Sequence, residues 1–263
     1  MLIAQVTDTH ILDSAQGPGP YVDHRARLAE VVGRINAEDP GVDLAVLTGD
    51  LVDGGTVAEN EVLCRLLARL EAPVVAVPGN HDVRETFPAA LLPGGRPTSD
   101  HLSWVLEDLE VRIIGLDVIE PGQPGGALGR ERAAWLEEAL AAEPDRPTLL
   151  ALHHPPFDTG VRWMDDAGHP GAELRPILAR HPQVRRVVCG HLHRPIQTVF
   201  EHALVTVAPP TIHAVALDLA EDSTPHLIAD PAGYQLHRFQ DGLWVSHTRY
   251  VGTGNEPFVP DWA

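Results

Sequence analysis

Over its first two-thirds the chain alternates short apolar runs with segments of helical periodicity. Leu2–Val6 reads as a strand, and His24–Ala37 then places Leu28, Val31, Val32 and Ile35 at helical spacing. Leu44–Leu47 predicts a second strand. Val57–Glu71 predicts a clearer helix, with Val62, Leu63, Leu66, Leu67 and Leu70 on one face. Val74–Val77 predicts a third strand, followed by a loop rich in Pro and Gly at Thr86–Asp100. Leu102–Leu106 and Val111–Asp117 predict a hairpin or two neighbouring strands, and Arg130–Ala142 a helix carrying Trp135, Leu136 and Leu140. Thr148–Leu152, a helix near Ala172–Arg180, and Val184–Cys189 continue the rhythm. Beyond Arg194 the pattern changes to strands at Ile196–Glu201, Leu204–Val207, Tyr234–Phe239 and Leu243–Tyr250.

Strand–helix alternation implies an α/β fold, a parallel or mixed sheet covered by helices. The strand-rich remainder implies a second sheet packed on the first. Without an internal repeat or a low-complexity linker, a single domain over 1–263 is expected. Its tail, from about 195 to 263, is expected to complete the second sheet. Trp244, Tyr250, Phe258 and Trp262 gather late in a mostly non-aromatic chain, a cluster that suits core or an oligomer interface.

Composition narrows the chemistry. Hydrophobic residues are 44% and charged residues 21% of the 263, the balance of a folded globular chain. The apolar runs stop well short of the roughly 18 residues of a membrane span, so no membrane association is expected. Met1–Val6 lacks a basic n-region and a small-residue cleavage site, and Cys64 and Cys189 make no disulfide framework; both predict a cytoplasmic protein. All 19 basic residues are arginine. A chain without lysine has no P-loop and no Schiff-base or pyridoxal chemistry. No serine sits in G-x-S-x-G, which excludes an α/β-hydrolase elbow. A net charge of −18 argues against nucleic-acid polymers, whose binding runs on basic patches. It leaves room for a small anion held by local positive charge.

Five polar motifs follow predicted strands directly: Thr7-Asp8-Thr9-His10, Thr48-Gly49-Asp50-Leu51-Val52-Asp53, Pro78-Gly79-Asn80-His81-Asp82, His153-His154-Pro155-Pro156 and Gly190-His191-Leu192-His193. Parallel strands bring such motifs to one carboxyl edge, where ligands bind in open α/β sheets. The residue types are His, Asp and Asn with no thiolate, a donor set for Mn, Fe, Zn or Co rather than an iron–sulfur cluster.

The series Asp8-x-His10, Gly49-Asp50, Gly79-Asn80-His81-Asp82, His153, Gly190-His191-Leu192-His193 resembles the calcineurin-like metallophosphoesterases over nearly the whole chain. Within them it resembles the bacterial class III cyclic-nucleotide phosphodiesterases and the related glycerophosphodiesterases. Leu2–His10, Leu236-His237-Arg238 and Leu243-Trp244-Val245-Ser246 look most like the latter. The resemblance implies two facing mixed β-sheets flanked by helices, and two divalent metal ions per chain. Asp8, His10 and His193 would hold one metal. Asn80, His153 and His191 would hold the other, and Asp50 would bridge both. Of the adjacent histidines, His153 takes the family's ligand position directly after the strand, and His154 would support it or rim the pocket. His81 would face the substrate as the catalytic residue. Hydroxide activated by the two metals would attack phosphorus in line. The implied substrates are small phosphodiesters, 3′,5′-cyclic nucleotides such as cAMP or glycerophosphodiesters, and the implied assembly is a homodimer or larger.

Other residues have plainer readings. Asp53 and Asp82 suit supporting or capping roles better than ligation. His24, His101 and His237 suit the surface or a satisfied core. His213, in a loop after Pro209-Pro210-Thr211, is a candidate substrate contact together with His154. Arg162 to Asp166 form a loop that could shape the cleft. The alternatives are a phosphomonoesterase or protein phosphatase, for which Arg84 is the nearest arginine to grip a phosphate dianion, and a non-enzymatic metal-binding scaffold. A scaffold would have lost a ligand, and none is lost.

Overall fold

The computed structural model describes residues 1–14, 22–97 and 99–252. Two sheets lie face to face with helices on both outer sides. The first is built from β1 (Leu2–Val6), β2 (Leu44–Thr48) and β3 (Val74–Val77), which run parallel. Two helices, α1 (His24–Asn36) and α2 (Val57–Leu67), cross between these strands and bury Leu28, Val31, Ile35, Val62 and Leu63 against them. The second sheet contains β4 (Trp104–Leu106), β5 (Arg112–Gly115), β6 (Thr148–Ala151), β7 (Val184–Cys189), β8 (Ile196–Phe200) and β9 (Ala203–Val207), in the order β4-β5-β6-β7-β9-β8. Its four inner strands are parallel and its two edges antiparallel. Its outer face carries α3 (Gly129–Ala142) and α5 (Gly171–Arg180), with a short α4 (Arg162–Asp165) between them in sequence.

The period of two along the strands sorts their side chains between layers. Ile113, Leu149, Ala151 and Val188 point into the gap between the sheets and share a core with Ile3 and Val46. Their neighbours Ile114, Leu150, Val187 and Cys189 point outward into a second core with Leu136, Leu140, Leu174 and Leu178. The inner strands are therefore mostly apolar on both faces, as a sheet covered on both sides requires, with Arg112, Thr148, Arg186 and Thr206 as buried exceptions.

The strand-rich tail divides, which corrects one expectation. β8 and β9 complete the second sheet, but β12 (Gly233–Gln240) and β13 (Leu243–Tyr250) do not join it. They extend the first sheet in the order β13-β12-β1-β2-β3, because β1 offers an open edge that β12 pairs antiparallel, Ile3 against His237. A small ladder, β10 (Ala214–Val215) with β11 (Leu227–Ile228), was not foreseen. Trp244 packs its ring 5.0 Å from that of Phe239, while Phe258 and Trp262 lie outside the described residues.

Three boundaries moved for local reasons. α2 stops at Leu67, short of Glu71, because the Asn36 side chain donates to the Arg69 carbonyl and accepts from the Glu71 N–H. β4 starts at Trp104 because Leu102 donates instead to the Asp117 carboxylate. Residues 162–165 turn into a helix because Asp165 accepts the N–H groups of Thr159 and Gly160. Among the described residues no helix is long and apolar enough to cross a membrane.

Candidate metal centre

Each of the five motifs sits at the carboxyl end of a parallel strand. β1 delivers Asp8 and His10, β2 Asp50, and β3 Asn80 and His81. From the opposite sheet, β6 delivers His153 and His154, and β7 delivers His191 and His193. The chain folds back sharply at these ends. Asp8, His10, Asp50, His191 and His193 all have positive φ, between 37° and 72°. Residues with a Cβ rarely adopt that region, at a cost of roughly 1–3 kcal/mol each, and persist there only where the surroundings dictate it. Here Asp8 and His10 donate backbone N–H groups to the carbonyls of Gly49 and Asp50, at 3.1 and 3.0 Å. Two motif glycines are set by close approach. A Cβ on Gly79 would lie 2.2 Å from the Asp50 nitrogen, and one on Gly190 would lie 2.0 Å from Thr7 Oγ1.

The side chains then converge. Asp8, His10, Asp50 and His193 bring ligand-type atoms within 4.8 Å of one another, all of them buried. His10 Nε2 is 3.2 Å from His193 Nε2 and 3.5 Å from Asp50 Oδ2. His193 Nε2 is 3.5 Å from Asp8 Oδ1, and His153 Nε2 is 3.3 Å from Asp50 Oδ2. The far side of each ring fixes its tautomer. Nδ1 of His10 meets Asp53 Oδ1 at 3.0 Å, Nδ1 of His153 the Thr48 carbonyl at 2.7 Å, and Nδ1 of His193 the His213 carbonyl at 2.9 Å. All three partners accept, so each Nδ1 carries the proton and each Nε2 aims a lone pair at the carboxylates.

Lone pairs and carboxylates cannot face one another without positive charge between them. Burial disfavours a charge on His153, yet Asp50 beside it raises its pKa to about 9. Burial likewise opposes His10, and the bond to Asp53 with the charges of Asp50 and Asp8 raises it overall. Burial opposes the Asp50 anion too, but His153, then His10, hold it well below the usual carboxylate range. His193, by contrast, is pushed down to about 4 by burial, which keeps it neutral and ready to ligate.

A second group stands beside the first. His153, His154 and His191 place ring nitrogens within 4.8 Å of one another. Two buried atoms of this group have no hydrogen-bond partner, His153 Nε2 and His154 Nδ1, and neither has Asn80 Oδ1 after the end of β3. Buried polar atoms are rarely left so, and an amide oxygen and two imidazole lone pairs are donors that suit a divalent cation. The residues therefore fit a metal on their own chemistry. His154 is a buried member of this group. It is fully buried, its ring is 4.3 Å from that of His191, and its Nε2 donates to the Pro124 carbonyl at 3.0 Å. It has no surface to offer a substrate, which corrects its reading as a substrate contact.

His81 is the exposed member, with 41% of its side chain accessible. Its N–H donates to Asp50 Oδ1 at 2.9 Å, and its Nδ1 meets the Asp53 carbonyl at 2.8 Å. Asp53 thus orients both His10 and His81. It is delivered by the loop before α2, which a reciprocal cap between Thr56 and Glu59 anchors. Asp82 supports the backbone, accepting from Leu51, Val52 and Gly79, and burial with the Asp50 charge raises it to about 6. His213 is half-buried with its ring 5.0 Å from that of His193. Of the two readings for His24, surface or satisfied core, the second holds: it is buried and its Nδ1 donates to the His10 carbonyl at 2.6 Å. Arg84 is not free to grip a phosphate. It makes two bonds to Asp117, at 2.7 and 3.0 Å, and a third to the Ile119 carbonyl.

Comparison with known proteins agrees with this geometry. Over 263 aligned residues the chain is 36% identical to a protein of Arcobacter nitrofigilis named probable glycerophosphodiester phosphodiesterase, covering 98% of this chain and 96% of that one. It is 39% identical over 229 residues to a probable cyclic nucleotide phosphodiesterase of Rhodopseudomonas palustris, with 84% and 82% covered. A purple acid phosphatase from yellow lupin seeds shares the fold, with a TM-score of 0.66 over 95% of this chain and 51% of that chain at 14% identity. Residues 1–195 match the family model described as calcineurin-like phosphoesterase. The chain belongs to the calcineurin-like phosphoesterase family.

Proposed function

We propose that this protein is a metal-dependent phosphodiesterase acting on small phosphodiesters, either glycerophosphodiesters or 3′,5′-cyclic nucleotides. One observation carries the reading: imidazole lone pairs from both sheets converge on Asp8 and Asp50, and a histidine with a free face stands beside them. Asp8, His10 and His193 would hold one divalent cation, Asn80, His153 and His191 a second, and Asp50 both. Mn, Fe, Zn and Co all suit these donors. Two such cations, when bound, supply Lewis-acid polarisation of a phosphoryl oxygen and lower the pKa of water.

The chain's own groups do the rest. Asp53 keeps the His10 lone pair turned inward, and Thr48 does the same for His153. His81 commits Nδ1 to the Asp53 carbonyl, so only Nε2 remains for substrate. As an imidazolium it can stabilise charge on the phosphoryl oxygens, or give its Nε2 proton to the leaving alkoxide. The half-buried His213 is positioned to bound the substrate on the other side of His193. Arg84, tied to Asp117, supplies no clamp for the second charge of a monoester, which favours diesters.

The test is hydrolysis of bis(p-nitrophenyl) phosphate and p-nitrophenyl phosphate with Mn, Fe, Co and Zn, then of glycerophosphoethanolamine and cAMP with the best metal. Diester hydrolysis above monoester hydrolysis is expected. No diester turnover with any metal would sink the reading.

Metal uptake should also release protons. His153, raised to about 9, is protonated at pH 7.5, and a cation must displace that proton. Affinity therefore rises with pH until about 9 and falls below it. Calorimetric titration in buffers of different ionisation enthalpy should show net proton release at pH 7.5. An exchange of zero would remove His153 from the ligands.

A further inference from the structure

A buried line of hydrogen bonds runs from the edge strand β13 to a candidate ligand. His237 Nδ1 meets Ser246 Oγ at 2.7 Å, and His237 Nε2 meets Gln5 Oε1 at 3.0 Å. Gln5 Nε2 donates to the Cys189 carbonyl at 2.7 Å and to Thr48 Oγ1 at 3.0 Å. The Thr48 carbonyl accepts from His153 Nδ1. A carbonyl can only accept, so the Cys189 contact fixes the Gln5 amide, with nitrogen toward Cys189 and oxygen toward His237. His237 must then donate from Nε2 and accept at Nδ1 from the Ser246 hydroxyl. Burial, with the nearby Arg186 charge, lowers His237 to about 3 and keeps it in that neutral tautomer.

The position of Gln5 is unusual. It is a fully buried amide next to the last residue of β1, where an apolar residue would pack without any polar group to satisfy. Its amide crosses from the first sheet to the last residue of β7 in the second, two residues before His191. Its other bond holds the end of β2, two residues before Asp50. Gln5 itself stands three residues before Asp8. The ligands come from two sheets, so the separation of the sheets at this level sets the distance between the two halves of the centre.

We propose that Gln5 is a positioning residue of the metal centre: a clamp between the sheets that holds the ligands of β1 and β2 at a fixed distance from those of β6 and β7. His237 and Ser246 lock its amide in the working orientation. The proposal rests on the metal reading above.

The test compares metal-free wild type with Gln5→Leu and Gln5→Glu. Glutamate still accepts from His237 but has no N–H for Cys189. Tyr234→Phe is the control, since the Tyr234 hydroxyl bonds Glu38 on the opposite face of β12. Folding is checked by circular dichroism. Affinity is read by competing Co²⁺ between protein and chelator, and ligand geometry by the visible spectrum of the bound cobalt. Loss of a supporting hydrogen bond to a metal site typically lowers affinity 10–100-fold, and that fall with a changed cobalt spectrum is expected in both Gln5 variants. Tyr234→Phe should melt at a lower temperature yet match wild type in affinity and spectrum. Folded Gln5 variants with wild-type affinity and spectrum overturn the clamp and leave the metal reading standing. A wild type that binds no metal overturns both. Should neither Gln5 variant fold, Ser246→Ala, at the half-exposed end of the line, decides. A several-fold fall in affinity is then expected, and an unchanged affinity overturns the proposal.

Discussion

Replacing Asp50 by alanine should empty the whole centre of metal. Its Oδ2 lies 3.5 Å from His10 Nε2 in one group and 3.3 Å from His153 Nε2 in the other, and among the described residues no other carboxylate pairs with both histidines. Without it the two sets of imidazoles share no anion. The variant also loses the acceptor for the His81 N–H. If the metals supply several kcal/mol of transition-state stabilisation, activity should fall by roughly 10³-fold or more. Elemental analysis checks the metal and initial rates check the activity. Asn80→Ala should instead weaken mainly the second metal, the one for which Asn80 is proposed as a ligand. Two full equivalents in Asp50→Ala would remove Asp50 from its bridging role.

Replacing His81 should separate binding from catalysis. His81 neighbours Asn80 in sequence, but its side chain is 41% exposed and its Nδ1 is taken up by Asp53, 2.8 Å from the carbonyl and 3.7 Å from the carboxylate. His81→Ala should keep its metals while kcat falls by roughly 10²–10⁴, the span for losing a general acid or an electrostatic stabiliser. The fall should shrink for p-nitrophenyl diesters, whose leaving group needs little protonation. An equal fall for alkyl and p-nitrophenyl esters would leave charge stabilisation as its only role. Metal lost in this variant would make His81 a ligand.

The candidate ligands were legible because each sits directly after an apolar run, and a strand that ends in a sharp turn must present its next polar residues at the sheet edge. The same rule found β1, β2, β3, β6 and β7 within a residue of their ends. It failed for the tail, because alternation marks a strand but not which open edge it will take. β12 and β13 read no differently from β8 and β9. For His154 the sequence left open support of the site or the rim of the pocket, because it shows only that the residue follows His153; burial beside His191 favours support. Asp53 was visible as a supporting residue, yet its double hold on His10 and His81 depends on the loop fixed by Thr56 and Glu59. Gln5 left only one trace, an amide within an apolar strand.

The placement of β12 also orders events during synthesis. All seven candidate ligands have been made once His193 is joined to the chain, with β2 and β3 ready to pair and β6 and β7 complete. The outer edge of β1 still has no neighbour, because its partner begins only at Gly233. His237, which orients the Gln5 amide, arrives later still. A nascent chain paused between those points carries all seven candidate ligands while its first strand is half-paired, so the proposed Gln5 clamp is completed only once the carboxyl-terminal strands have left the ribosome.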